Sequence, residues 1–197
     1  MFIQNKFKFI LLLLLIFPMA FLYGQSDKGL LKKNRVVNAE INQTEKHRYQ
    51  IKLKKNQFAE FRLVQSGIDV KISTYSPEGR KIEEFDLTGK VGEELITIRS
   101  VIAGKYVLEI EPLKKREKSG KYTLEIKNVS KMARTSSGKV DQHLARWNSL
   151  EAPGLGVAIV KDGEIIHSKG YGLANLEYNV PINSSTVFEV ASVSKQF

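Results

Sequence analysis

The sequence predicts a mixed fold: an antiparallel β-sandwich followed by the start of an α/β (α+β) unit. Three observations predict it. Apolar residues alternate with polar ones from about residue 35 to 129. Gly, Pro, Ser and Asp clusters interrupt that alternation at short intervals. After residue 131 the alternation stops, and a helical pattern and then a hairpin signal replace it. Alternation over short runs puts one side of each strand in a core and the other in water. Several such runs with no helical stretch between them indicate a sandwich.

The chain begins with a predicted secretory leader at residues 1–24. Lys6 and Lys8 precede the apolar run Phe9–Phe17, Pro18 breaks it, and Leu22-Tyr23-Gly24 offers a small residue for cleavage. This run falls short of the roughly 20 residues that span a bilayer, so cleavage is expected rather than a stable membrane span. The protein is therefore expected in the periplasm or secreted.

Residues 35–130 are the predicted sandwich. Tyr49, Ile51 and Leu53 alternate with Arg48, Gln50 and Lys52. Ala59, Phe61 and Leu63 alternate with Glu60 and Arg62, and Val70, Ile72 and Leu95–Ile98 mark further apolar stretches. Turns are expected at Ser66-Gly67, Ser76-Pro77-Glu78-Gly79, Thr88-Gly89-Lys90, Ala103-Gly104 and Ser119-Gly120. The segment Gly104-Lys105-Tyr106-Val107-Leu108-Glu109-Ile110 is echoed by Gly120-Lys121-Tyr122-Thr123-Leu124-Glu125-Ile126, with Tyr, Leu and Ile on one face in each copy. Two strands solving the same half-buried problem explain the echo.

Residues 131–138 are small and polar and read as a linker. In the unit at 139–197, Val140, Leu144, Trp147 and Leu150 follow helical spacing, and Ala152-Pro153-Gly154 ends that helix. Leu155–Val160 is a near-continuous apolar strand, followed by Asp162-Gly163 and a second strand through Gly170. Asp-Gly between apolar strands signals a type I′ hairpin, which needs positive φ at both central residues. His167 is expected as a surface residue of the second strand.

Composition excludes several kinds of chemistry. With no cysteine, disulfides, thiol catalysis and Cys-based metal sites are ruled out. His47, His143 and His167 are far apart in sequence, so no metal site or other cofactor is predicted. Asp69, Glu78 and Asp86 are carboxylates of the kind calcium accepts, but no dense Asp-x-Asp-x-Asp run holds them, and turn chemistry explains them better. The net charge of +10 is spread over alternate strand positions and turns, so no nucleic-acid partner is expected.

Two Ser-x-x-Lys sequences occur. Ser136-Ser137-Gly138-Lys139 lies in the polar linker with no strand expected before it, and reads as chance. Ser192-Val193-Ser194-Lys195 follows the apolar lead-in Thr186–Ala191 and is expected to open a helix. There Ser192 and Lys195 share one face. A serine hydroxyl becomes a good nucleophile when a nearby base takes its proton. A lysine does this only as a neutral amine, which burial and a helix N-terminus both favour. The Ser192 amide is also placed to supply one oxyanion donor. Ser194 is expected to support the helix.

Two resemblances follow. Tyr49-x-Ile51-x-Leu53, Gly67-x-Asp69-Val70, Pro77-x-Gly79 and the two Gly-x-Tyr-x-Leu strands resemble the bacterial pre-peptidase C-terminal domain, which implies an accessory sandwich of secreted enzymes. The C-terminal unit resembles the penicillin-binding, class C β-lactamase-like serine hydrolases. The residues that carry this are Pro153-Gly154-x-Gly156-Val157-Ala158-Ile159-Val160-x-Asp162-Gly163, then Gly170-Tyr171-Gly172-Leu173-Ala174-Asn175, Pro181-Ile182, Thr186-x-Phe188 and Ala191–Phe197. This resemblance implies an acyl-enzyme mechanism with Ser192 as nucleophile and Lys195 as activating base. It implies a small-molecule or peptide amide or ester as substrate: a β-lactam, a D-amino-acid or peptidoglycan-like peptide, or a small ester. The family also uses a Tyr-x-Asn or Ser-x-Asn motif and a Lys/His-x-Gly strand, and neither follows Lys195 in this sequence. The expectation is a chain truncated just after Ser-x-x-Lys and inactive by itself. The alternative is a non-catalytic secreted β-sandwich binding module with a degenerate hydrolase part.

Overall fold

The computed structural model describes residues 24–113, 118–148 and 153–196. Residues 1–23 of the expected leader, Leu150 and Ala152 of the expected helix end, and Phe197 lie outside the described residues. No helix among the described residues is long and apolar enough to cross a membrane.

Nine strands build the sandwich: β1 (Gly24–Leu30), β2 (Val37–Asn42), β3 (Glu45–Leu53), β4 (Gln57–Ser66), β5 (Val70–Tyr75), β6 (Lys81–Phe85), β7 (Val91–Ser100), β8 (Gly104–Pro112) and β9 (Ser119–Lys131). One sheet has the order β1-β3-β8-β5-β6 and the other β2-β9-β4-β7. Every pairing is antiparallel except that of β1 with β3, which is parallel. The sheet thus takes in a strand ahead of residue 35, where the sequence reading began. Gly24–Leu30 is polar and largely exposed, so it carries no alternation to betray it.

The inner faces meet in one apolar core. Phe61 and Leu63 of β4, Ile96 and Ile98 of β7, Leu108 and Ile110 of β8, and Leu124 of β9 are all buried in it. The two echoed segments become β8 and β9, in opposite sheets, with Tyr106 and Tyr122 both inside. Their hydroxyls diverge. Tyr106 donates to the carbonyl of Ile102 at 2.9 Å, fastening its own turn. Tyr122 lies between His47 Nδ1 at 2.7 Å and the Tyr49 hydroxyl at 2.8 Å.

Ser119-Gly120 starts β9 rather than forming a turn. Glycine is needed there because a Cβ at position 120 would lie 2.5 Å from the Cβ of Ile68, itself fully buried. Gly120→Ala is expected to cost about 1–3 kcal/mol through overpacking. A denaturant midpoint no lower than that of the unchanged chain would refute this.

His47 is buried, and desolvation, with a smaller contribution from Lys28, holds its pKa below the ordinary histidine value; Glu45 opposes the shift. The unfolded chain therefore takes up a proton on this side chain at higher pH than the folded one does. Its contribution to stability is complete above the unfolded value of about 6.5 and is lost as pH falls toward the lowered folded value. The urea midpoint should drop between pH 7 and 5.5, and His47→Gln should flatten that slope. An equal slope in both proteins would contradict the assignment.

The outer face of β4 and β7 is covered by the segment after β9. Helix α1 spans Ser136–His143, and a 3-10 turn follows at Ala145–Trp147. The single long helix expected from Val140, Leu144 and Trp147 is thus split, and it begins inside the stretch read as linker. Thr135 explains the start: its side chain accepts from the Gly138 amide at 3.2 Å, an N-cap bond that polar composition alone disguised as loop. At the other end, Arg99 of β7 donates to the Gln142 carbonyl at 2.7 Å. Arg146 pairs with Glu83 at 2.9 Å and lies over the Phe85 ring. These contacts tie the helical segment to the sandwich.

Candidate functional site

The C-terminal unit is built on the hairpin β10 (Leu155–Lys161) and β11 (Glu164–Tyr171). Asp162 and Gly163 form the two-residue loop with φ of 52° and 80°, as a type I′ turn requires. Short strands β12 (Leu173–Asn175) and β13 (Val180–Pro181) pair next to it. The glycines of the Pro153-Gly154 and Gly170-Tyr171-Gly172 motifs mark a backbone crossing. A Cβ on Gly154 would lie 1.7 Å from the Tyr171 carbonyl oxygen, and Gly172 has φ +71° with the Gly154 backbone against it. Tyr171, Leu173 and Ile182 are buried around this crossing.

Beyond it, the chain returns over β10. The Phe188 ring lies against Gly156, where a Cβ would come within 3.2 Å of it. Ala191 follows in the left-handed region at φ 45°, an uncommon conformation for a residue with a Cβ. Ser192 comes next, in a 3-10 turn over Ala191–Gln196. The expected nucleophile helix is therefore a six-residue 3-10 turn. In that geometry residues i and i+3 eclipse, so Ser192 and Lys195 still share one face. Both are exposed. The burial that a neutral lysine needs is absent here. Ser194 donates to the Ala191 carbonyl at 2.5 Å, the supporting role expected of it.

The hairpin is under-packed for its composition. Val160, Ile165 and Ile166 are exposed, as are Val187, Val190 and Val193 beyond them. A near-continuous apolar strand is the pattern of a strand covered on both faces. Here much of that surface faces water.

His167 departs from the sequence reading. It is buried rather than on the surface. Its Nδ1 lies 3.0 Å from the Ser137 hydroxyl on α1, and its Nε2 lies 3.1 Å from the Tyr171 hydroxyl. Tyr171 donates to Asp141 at 2.8 Å, and Lys169 pairs with the same carboxylate oxygen at 2.8 Å. The hydrogen bond from Lys169, with help from Tyr171, holds the Asp141 carboxyl below its usual range despite partial desolvation. Desolvation and the Asp141 carboxylate push the Tyr171 hydroxyl well above its ordinary value. Sequence reasoning missed this cluster because its members come from α1 and β11, and the polar stretch that supplies Ser137 read as linker.

A cleft of about 650 Å³ lies between the outer face of β4 and β7 and the α1–β11 side of the C-terminal unit. Arg62, Thr97, Asp141, Asn148, Lys169 and Tyr171 are among the residues that line it, whereas Ser192 and Lys195 are not. Of the carboxylates considered for calcium, Glu78 accepts from Ser76 at 2.7 Å within its own turn, and the hydrogen bond holds its pKa down. Asp69 is buried. Among the described residues no group of three potential metal ligands forms.

Fold and site define a class: a β-sandwich followed by a small α- and β-containing unit that carries Ser-x-x-Lys in a 3-10 turn. Residues 138–197 match the beta-lactamase family model. A D-aminopeptidase of Gluconobacter oxydans (strain 621H) is 47% identical over 45 residues, which are 23% of this chain and 9% of that protein. The chain therefore spans only a small part of the curated relative that it matches. Among solved structures, the pre-peptidase C-terminal domain of a Bacillus anthracis collagenase is similar over 52% of this chain and 94% of its own, at 15% identity and a TM-score of 0.39. The periplasmic inhibitor of g-type lysozyme from Aeromonas hydrophila, PliG, is similar over 53% of this chain and 100% of its own, at 11% identity and a TM-score of 0.41.

Proposed function

We propose that this chain belongs to an exported serine hydrolase in which Ser192 forms an acyl-enzyme on an amide or ester substrate and Lys195 takes the hydroxyl proton. The observation that carries the reading is the eclipsed Ser192–Lys195 pair, set directly after the left-handed Ala191 in a segment that matches the beta-lactamase family. Strained backbone persists where surrounding structure over-determines it, and such positions cluster at active sites. The Ser192 amide, at the start of the turn, serves as one oxyanion donor.

The described surface supports a second part of the proposal. Residues 138–197 act only when further hydrolase structure covers the hairpin and the 3-10 turn. The exposed valines and isoleucines need that cover, and so does Lys195, whose amine must leave water to act as a base. The 197 residues alone are therefore inactive in turnover. Export is supported by Lys6, Lys8 and the apolar run before Pro18.

The substrate class follows from the match to a D-aminopeptidase and from the family: a peptide or amide with a D-residue at the scissile bond, a β-lactam, or a small ester. The test is turnover of one substrate from each class by the whole protein and by the 197-residue chain. Hydrolysis of at least one class by the whole protein only is the expected result. Hydrolysis of none by the whole protein would leave the sandwich as the working part and overturn the reading.

A further inference from the structure

We propose that Ser137 is a second nucleophilic hydroxyl, independent of Ser192, that His167 activates toward activated carboxylic esters and phosphonyl halides.

Neighbouring groups fix where each proton of the cluster sits. Lys169 keeps Asp141 ionised, so Asp141 only accepts hydrogen bonds. Tyr171 stays protonated and has one hydrogen to give, which goes to Asp141 at 2.8 Å. Toward His167 the Tyr171 oxygen must then accept. It accepts from the Nε2–H at 3.1 Å, so the neutral ring carries its proton on Nε2. That leaves a lone pair on Nδ1, 3.0 Å from the Ser137 oxygen. The Ser137 hydroxyl therefore donates to a base whose tautomer is fixed from behind by the Tyr171–Asp141 relay. This is the arrangement that turns a serine into a nucleophile: hydroxyl, base, and a third group that orients the base.

Access and charge stabilisation are both present. His167 is buried, whereas Ser137 is exposed, so an electrophile reaches the hydroxyl while the base stays shielded. Ser137 lies in the first turn of α1, where amides have no acceptor within the helix. Thr135 takes the amides of Gly138 and Lys139, through its side chain and its carbonyl. A developing oxyanion would be met by the amides of Ser136 and Ser137, which share that first turn.

With a fluorophosphonate, Ser137 Oγ attacks phosphorus and an O–P bond forms. The P–F bond breaks, and fluoride leaves with its electron pair. The hydroxyl proton passes to His167 Nδ1 and from there to water. The imidazolium formed on the way is held by the Tyr171 oxygen and by the Asp141 charge behind it. Tyr171 and Asp141 act as positioning residues.

The test uses the full 197-residue chain carrying Ser192→Ala, treated with an alkyl fluorophosphonate and read by peptide mass spectrometry. One adduct on Ser137 is expected. Ser137→Ala, a change at an exposed site, should remove it. His167→Gln should slow labelling by about 100-fold or more, the range expected for loss of a general base. Tyr171→Phe should give an intermediate rate and a shift of the imidazole ¹⁵N signals away from the Nε2–H tautomer, at an unchanged far-ultraviolet spectrum. A Ser137–His167 contact that only ties α1 to β11 would leave Ser137 unlabelled. That result, or labelling at the same rate in the folded His167→Gln chain, would overturn the proposal. Because Ser192 is absent from the tested chain, the outcome is separate from the fate of the acyl-enzyme reading.

Discussion

Ser192→Ala in the whole protein should lower kcat by on the order of 10⁴-fold or more, with KM little changed. The hydroxyl makes the bond that defines the reaction, and nothing on the same face replaces it: Ser194 spends its hydrogen on the Ala191 carbonyl. Removing a member of a nucleophilic unit costs nearly as much as removing the unit, since the remaining rate comes from binding and the oxyanion donors alone. Lys195→Met should cost a comparable factor, because the methionine chain fills similar space without a basic nitrogen. The two losses should not add in the double variant. Additive losses would mean that Lys195 acts apart from Ser192, as a substrate-binding charge. The measurement is steady-state kinetics on whichever amide or ester the whole protein turns over.

Phe61→Ala should remove much of the stability of the sandwich. Phe61 is fully buried at the centre of β4, opposite Ile96 of β7 on one side and Ile126 of β9 on the other. Truncating such a ring costs about 3–5 kcal/mol in lost transfer energy and residual cavity. Small domains hold only about 5–15 kcal/mol in total. Chemical denaturation should show a midpoint far below that of the unchanged chain, with the slope preserved if the native state stays compact. A shift of less than about 1 kcal/mol, the scale of an exposed substitution, would mean that β4 is not the centre of the core.

Much of the sandwich was legible because alternation is a direct imprint of a half-buried strand. Tyr49, Ile51 and Leu53, and the two Tyr-x-Leu-x-Ile strands, face inward as their spacing requires. Strands that alternation marks less clearly carry other imprints. β1 is polar and exposed, and its edge position asks little of its side chains. β7 confuses the pattern in two ways. Its outer face is partly covered, so Thr97 is buried as well as Ile96 and Ile98. Its inward row also includes Glu94, a buried carboxylate that accepts from the amides of Leu87 and Thr88 and from the Thr88 hydroxyl. A sequence shows the charge of Glu94 but not the loop that satisfies it.

In the C-terminal unit the local signals held and the long-range ones did not. Asp162-Gly163 fixes its own turn, so two residues suffice to read it. Helix α1 was misjudged because a single N-cap bond from Thr135 decides its start. The Ser137–His167 contact joins residues 30 positions apart on different elements, and no local spacing announces it. Ser192 and Lys195 lie at the other extreme. Their relation is set by three residues of chain, and it survives the change from an α-helix to a 3-10 turn.

The most direct measurement is the mass and position of the covalent intermediate. The whole protein and the 197-residue chain, each carrying Ser137→Ala so that the second hydroxyl takes no label, would be quenched in acid during reaction with a fluorescent penicillin or an activated D-amino-acid ester, and the adduct mapped by peptide. The prediction is one acyl group per molecule on Ser192 in the whole protein, and an unmodified Ser192 in the shorter chain. Stoichiometric acylation of Ser192 in the 197-residue chain would contradict the need for further structure around the pair, and an acyl group carried on any other residue of the whole protein would contradict the role of Ser192 itself.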